Sequence, residues 1–238
     1  MRPHSAFTLV ELLVIISIIA MLAGLFLPIV SDERTQELKS CVYRMEMIGE
    51  ALRKYHDVHG TFPPTYTVDE EGNPLHSWRV LILPHLLHAD NDFDNELLKG
   101  IRLDEPWDSG KNTEFHWKMP FFFRRHQGSS GATSYMMITG ENTAAGTSMA
   151  TWKRKPSEVV LLIEVSPPVR WMSPDDFSTA DFSTAIYPNE KKENDSGKQR
   201  VVGRHGKELH VLFADGTVKT YKNWKLPLKE LASMCRTE

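Results

Sequence analysis

The chain has 238 residues, 41% of them hydrophobic, 25% charged and 10% aromatic, which is enough for one folded domain with its own core. Its formal net charge of -3 supplies no basic field, so no nucleic-acid partner is expected. Its two cysteines, Cys41 and Cys235, form no Cys-x-x-Cys or zinc-type cluster and read as structural thiols, with one disulfide chemically open to them in an oxidising compartment.

Apolar residues are concentrated at the start. The run from Phe7 to Val30 holds 24 residues and one ionisable side chain, Glu11. As a helix it spans roughly 36 Å, enough for a bilayer core of about 30 Å. Arg2 and the amino terminus precede it and Asp32 and Glu33 follow, which predicts a cytoplasmic amino terminus and an extracytoplasmic carboxyl-terminal domain. A general secretory signal cut near Ala23 is the competing reading. Against it, the apolar stretch continues through Leu25, Phe26 and Leu27 and carries an acid near its start. Glu11 lies either within the span, where a carboxylate costs about 2.5–3.5 kcal/mol and marks a function, or at the interface in water.

Ala6-Phe7-Thr8-Leu9-Val10-Glu11 resembles the processing motif of type IV prepilins and type II secretion pseudopilins. The resemblance implies that a prepilin peptidase cuts between Ala6 and Phe7 and methylates the new amino group of Phe7. It also implies that Glu11 pairs with the charged terminus of a neighbouring pilin-like subunit during assembly in a pilus or pseudopilus. Ala6 departs from the usual Gly before the cut but is still small. The implied organisation is a leader over 1–6, a transmembrane helix over 7–30, an amphipathic continuation over 31–60 and an extracytoplasmic α+β domain over 61–238, in a single-pass inner-membrane protein. The implied fold is pilin-like, a long helix packed on a mainly antiparallel sheet.

Beyond the apolar run, Leu38, Val42, Met45, Ile48, Leu52 and Tyr55 recur at steps of four and three and form one stripe. His59-Gly60 with Pro63-Pro64 predicts the helix end, and Pro28 predicts a kink or loosened hydrogen bonds within it. Tyr55-His56-Asp57-x-His59 offers two imidazoles and an acid, more simply read as a fraying helix end than as a metal site.

Leu75–Leu87 predicts a short buried helix or strand, and Asp92–Lys99 a short helix. Gln127–Ser134 reads as a Gly/Ser loop before a strand at Tyr135–Thr139. Glu158–Val165 is a β-branched strand ended by Pro167-Pro168. Trp171–Phe177 predicts a helix start with Ser173 as cap and Pro174 at its first position. Glu70-Glu71 and Asp175-Asp176 read as solvated or capping pairs, and Thr184–Arg200 as a mobile polar loop. Leu209–Tyr221 alternates around Asp215-Gly216, which predicts a hairpin.

His205 followed by nine residues and then Asp215-Gly216 resembles the carboxyl-terminal signature of a prepilin-like family of unknown function abundant in planctomycete bacteria. Phe62-Pro63-Pro64, Ser77-Trp78-Arg79 and Pro106-Trp107-Asp108 fit in order. His205 is expected to hydrogen-bond and pin the strand before the hairpin. Some pseudopilins hold calcium in a carboxyl-terminal loop, and Asp215 with Asp181 or Asp195 is the set available for it. No other cofactor is expected. No Gly-x-Ser-x-Gly, His-Glu-x-x-His or Gly-x-Gly-x-x-Gly occurs, so a structural subunit is favoured over an enzyme. The alternative is a monomeric, membrane-anchored binding protein that uses the prepilin signal for delivery.

Overall fold

A computed structural model describes residues 8–87, 90–124, 131–183, 185, 200–201, 208–223 and 225–238; over 23–40 and at 200 only the backbone assignment is described. By contact the chain divides into two units, Met1–Cys41 and Val42–Glu238. One helix, α1 (Leu9–His59), begins in the first and ends in the second, and its assignment is continuous through Pro28.

In the second unit the fold is α+β, as expected. After α1 come the small antiparallel pair β1 (Tyr66–Val68) and β2 (Pro74–Ser77) and the short helices α2 (Trp78–Leu81), α3 (Leu83–Leu86) and α4 (Asp92–Gly100). The region Leu75–Leu87 is therefore both strand and helix. The switch falls at Ser77, whose hydroxyl accepts the Arg79 N–H and caps α2. Asn91 caps α4 in the same way.

The main sheet consists of β3 (Ala132–Thr139), β4 (Val160–Arg170), β5 (Phe177–Ser178), β6 (Arg200–Val201), β7 (Glu208–Phe213) and β8 (Val218–Lys222). Its order is β5-β3-β4-β7-β8, with β6 also on β4. All pairs are antiparallel except β3–β5. A carboxyl-terminal helix, α5 (Leu228–Met234), completes the unit. Successive strand residues face opposite ways. Met137 and Leu212 therefore enter a core with Met45, Ile48 and Leu52 of α1. Met136, Ile163 and Val211 enter a second core, with Leu231 and Cys235 at the carboxyl end. Of the stripe read from sequence, Met45, Ile48, Leu52 and Tyr55 lie on the face of α1 that packs on the sheet.

Two expectations are corrected. Strand β4 does not end at Pro167-Pro168 but continues to Arg170. Its pairing with β3 jumps from Glu164 to Val169 opposite Tyr135 and Thr133, so both prolines fall in an irregular stretch where the ladder asks no N–H of them. The predicted helix at Trp171–Phe177 is also absent: the segment turns and enters β5. The Ser173 hydroxyl donates to the Arg170 carbonyl at 2.8 Å instead of capping a helix.

That turn delivers Asp176 into the core. Its Oδ1 accepts from Arg79 Nη2 at 2.8 Å, Met137 N at 2.8 Å and Trp78 Nε1 at 3.1 Å. The Arg79 and Asp176 side chains are 0% and 2% exposed, so the expectation that Asp175-Asp176 is a solvated pair fails for Asp176. Arg79 also donates to the Tyr135 carbonyl at 2.8 Å and the Ser77 hydroxyl at 2.7 Å. Burial pushes the Asp176 carboxyl up to about 6, against the downward pull of Arg79 and the two N–H donors. No disulfide is formed: Cys41 and Cys235 are both buried thiols, and burial raises Cys235 far above the ordinary thiol range.

Asp176→Ala is expected to lower unfolding stability by about 3–5 kcal/mol, because it leaves the Arg79 charge buried without its counter-ion. Chemical denaturation of the full chain in detergent measures this.

Candidate functional site

The first unit carries the candidate processing and assembly residues. Ala6 and Phe7 lie outside the described residues. Thr8 and Glu11 form a reciprocal cap at the start of α1. The Glu11 Oε2 atom accepts from Thr8 N and from Thr8 Oγ1, both at 2.8 Å, and Thr8 Oγ1 accepts from Glu11 N at 3.3 Å. This is the Thr-x-x-Glu capping box, in which side chains replace the helical partners that the first N–H groups lack. Thr8-Leu9-Val10-Glu11 carries that pattern in sequence, so the signal for the cap is local.

Along the following turns the apolar side chains stand outward. Leu9 is 74% exposed, Val10 67% and Ile19 59%. Ser17 returns its hydroxyl to the Leu13 carbonyl at 2.7 Å, which removes its need for water. A shallow groove of about 330 Å³ on this helix is lined by Val10, Leu13, Val14, Ser17, Ile18 and Met21. Among the described residues no helix is long and apolar enough to cross a membrane. The side chains described in the apolar run reach only Leu22.

In the second unit, Asp215 and Gly216 form the predicted turn between β7 and β8. Asp215 Oδ1 accepts from Thr217 N at 2.9 Å and from Thr217 Oγ1 at 2.6 Å. Gly216 has φ 88°, a conformation that glycine adopts without steric cost. Arg53 of α1 reaches over and donates to the Asp215 carbonyl at 2.9 Å. Gly49, one turn earlier, lets the helix come close: a Cβ there would lie 2.7 Å from Leu212 Cδ1 and 3.3 Å from Gly216 Cα. The signature turn is thus a seat for α1. Beside it lies an open cleft of about 400 Å³, lined by Glu46, Glu50, Arg53, Lys54, Asp57, Asp215, Gly216 and Thr217.

The calcium set is not brought together by the described residues. The Asp215 carboxylate is engaged by its own turn, Asp181 accepts the Ser178 N–H at 2.8 Å, and Asp195 lies outside the described residues. Among the described residues no group of three or more His, Cys, Asp or Glu side chains is arranged to hold a metal ion. His205 also lies outside them, as does the stretch Thr184–Arg200 except for Ala185 and Arg200. At the end of α1, His56 accepts the Met149 N–H at 3.3 Å, and its Nδ1 is 3.9 Å from Asp57.

Two family models match. Residues 1–27 match the prokaryotic N-terminal methylation motif, which marks a prepilin-like protein handled by prepilin peptidase. Residues 39–158 match a family described as a protein of unknown function, DUF1559. The second match stops short of His205 and Asp215-Gly216. No curated protein and no solved structure matches the chain.

Gly49→Val is expected to destabilise the full chain by about 1–3 kcal/mol, because the added branches press on the Asp215-Gly216 turn. Thermal melting followed by near-ultraviolet circular dichroism measures the loss.

Proposed function

The chain belongs to the DUF1559 family and opens with a prepilin methylation motif, and from that premise we propose that it is a structural subunit of a pilus or type II secretion pseudopilus. Prepilin peptidase cuts it between Ala6 and Phe7 and methylates Phe7. The apolar half of α1 anchors the protein in the inner membrane, with the amino terminus cytoplasmic and the carboxyl-terminal domain outside. Partner subunits of the same kind then bind through that helix.

The observation that carries this reading is the outward-facing apolar surface of residues 9–22. A surface of this size is stable only in lipid or against other apolar helices. Glu11 is the exception on that surface. Its Oε2 is occupied by Thr8, which reduces the cost of carrying a carboxylate into an apolar medium. In that medium the charge is attracted strongly to the positive amino group of a neighbouring Phe7. Glu11→Ala removes the attraction and the Thr8 cap while leaving the apolar run itself unchanged.

Amino-terminal sequencing of the mature protein is expected to give N-methylated Phe7; Gly24 or intact Met1 as the first residue would refute the processing step. Crosslinking in native membranes is expected to give a ladder of oligomers that Glu11→Ala reduces by roughly tenfold or more, since one buried charge pair is worth several kcal/mol. A chain that stays monomeric in both forms would point to a membrane-anchored binding protein instead.

A further inference from the structure

The histidines at the end of α1 acquire a neighbour that the sequence did not place near them. His59, in the last turn of α1, stands with its ring centre 6.4 Å from that of His85 in α3, the planes crossed at 83°. Tyr55 stacks on His59 with ring centres 4.0 Å apart and meets His85 in a T-shaped contact at 6.0 Å, so one ring neighbours both. His56 turns away to Met149 and Phe62 and takes no part.

We propose that His59 and His85 form a two-imidazole site for a divalent transition-metal ion, copper(II) foremost, bridging the ends of α1 and α3. Two imidazoles on one ion, each nitrogen at about 2.0–2.1 Å, hold their ring centres no more than roughly 6.5 Å apart. The observed separation falls at that limit, and a small rotation of the exposed His59 ring shortens it. Imidazole pairs without thiolate or several carboxylates select late first-row ions, and copper(II) binds most strongly in that series.

Metal ions bind the neutral imidazole ring. The carboxyl end of α1 carries the negative end of the helix dipole, which attracts positive charge. Lys54 opposes a cation, but its ammonium is paired with Glu50 at 2.8 Å. Because the described residues offer no third His, Cys, Asp or Glu ligand, water completes the coordination and the ion is exchangeable.

The test is copper(II) titration of the full chain in detergent after chelator treatment. Electron paramagnetic resonance counts the equatorial nitrogens, and unmetallated melting temperature checks the fold of each variant. Saturable binding with two imidazole nitrogens is expected. His59→Ala and His85→Gln should each remove one nitrogen and weaken binding by roughly tenfold or more, while His56→Ala leaves the spectrum unchanged. No saturable binding, or a two-nitrogen spectrum that persists in the His59→Ala/His85→Gln double variant, would overturn the site.

Discussion

The Arg79–Asp176 pair joins parts of the chain that are nearly a hundred residues apart in sequence, and the second unit is arranged around it. Arg79 leaves α2, passes the Tyr135 carbonyl of β3 and ends on a carboxylate in the turn before β5. Each charge alone in that core would cost several kcal/mol, so each fixes where the other must be. The same Oδ1 accepts the Met137 N–H, which ties the turn to the central part of β3. Trp78 and Trp171 pack in the same core, and their indole N–H groups bond Asp176 and the Phe115 carbonyl. Packing and polar satisfaction are therefore solved by the same residues.

The two units handle apolar surface in opposite ways. In Val42–Glu238 one face of α1 packs on the sheet, and its Met45, Ile48 and Leu52 are wholly buried. Over residues 9–22 the apolar side chains of α1 face outward instead. The helix assignment therefore runs from a stretch of exposed apolar side chains to a stripe buried in a protein core. The Thr8–Glu11 cap bonds the Thr8 and Glu11 N–H groups where that surface begins.

The close seat of α1 on the β7–β8 turn gives Asp215-Gly216 a physical meaning that does not require a ligand. Gly216 supplies the backbone conformation, Asp215 closes the turn with its carboxylate and offers its carbonyl to Arg53, and Gly49 removes the side chain that would keep the helix away.

Much of the fold was legible in residue order alone, because its signals are local. The long helix, the strand at Val160, the Asp-Gly hairpin and the methylation motif each depend on neighbours within a few residues, through periodicity, turn geometry or a short recognition pattern. The helix expected at Trp171 failed for the opposite reason. Ser173-Pro174 is a sound local start signal, yet burial of Asp176 against Arg79 outweighs it. Likewise, Asp175-Asp176 resembles any exposed acidic pair until the fold places a guanidinium beside one member, and His59 is a lone helix-end imidazole until α3 brings up His85. By itself the sequence determined the prepilin-like start, the helix and the hairpin, where the governing contacts lie close along the chain. Only the tertiary structure decided which charges are buried together, which histidines meet and where α1 rests, because those contacts join residues that chain order keeps apart.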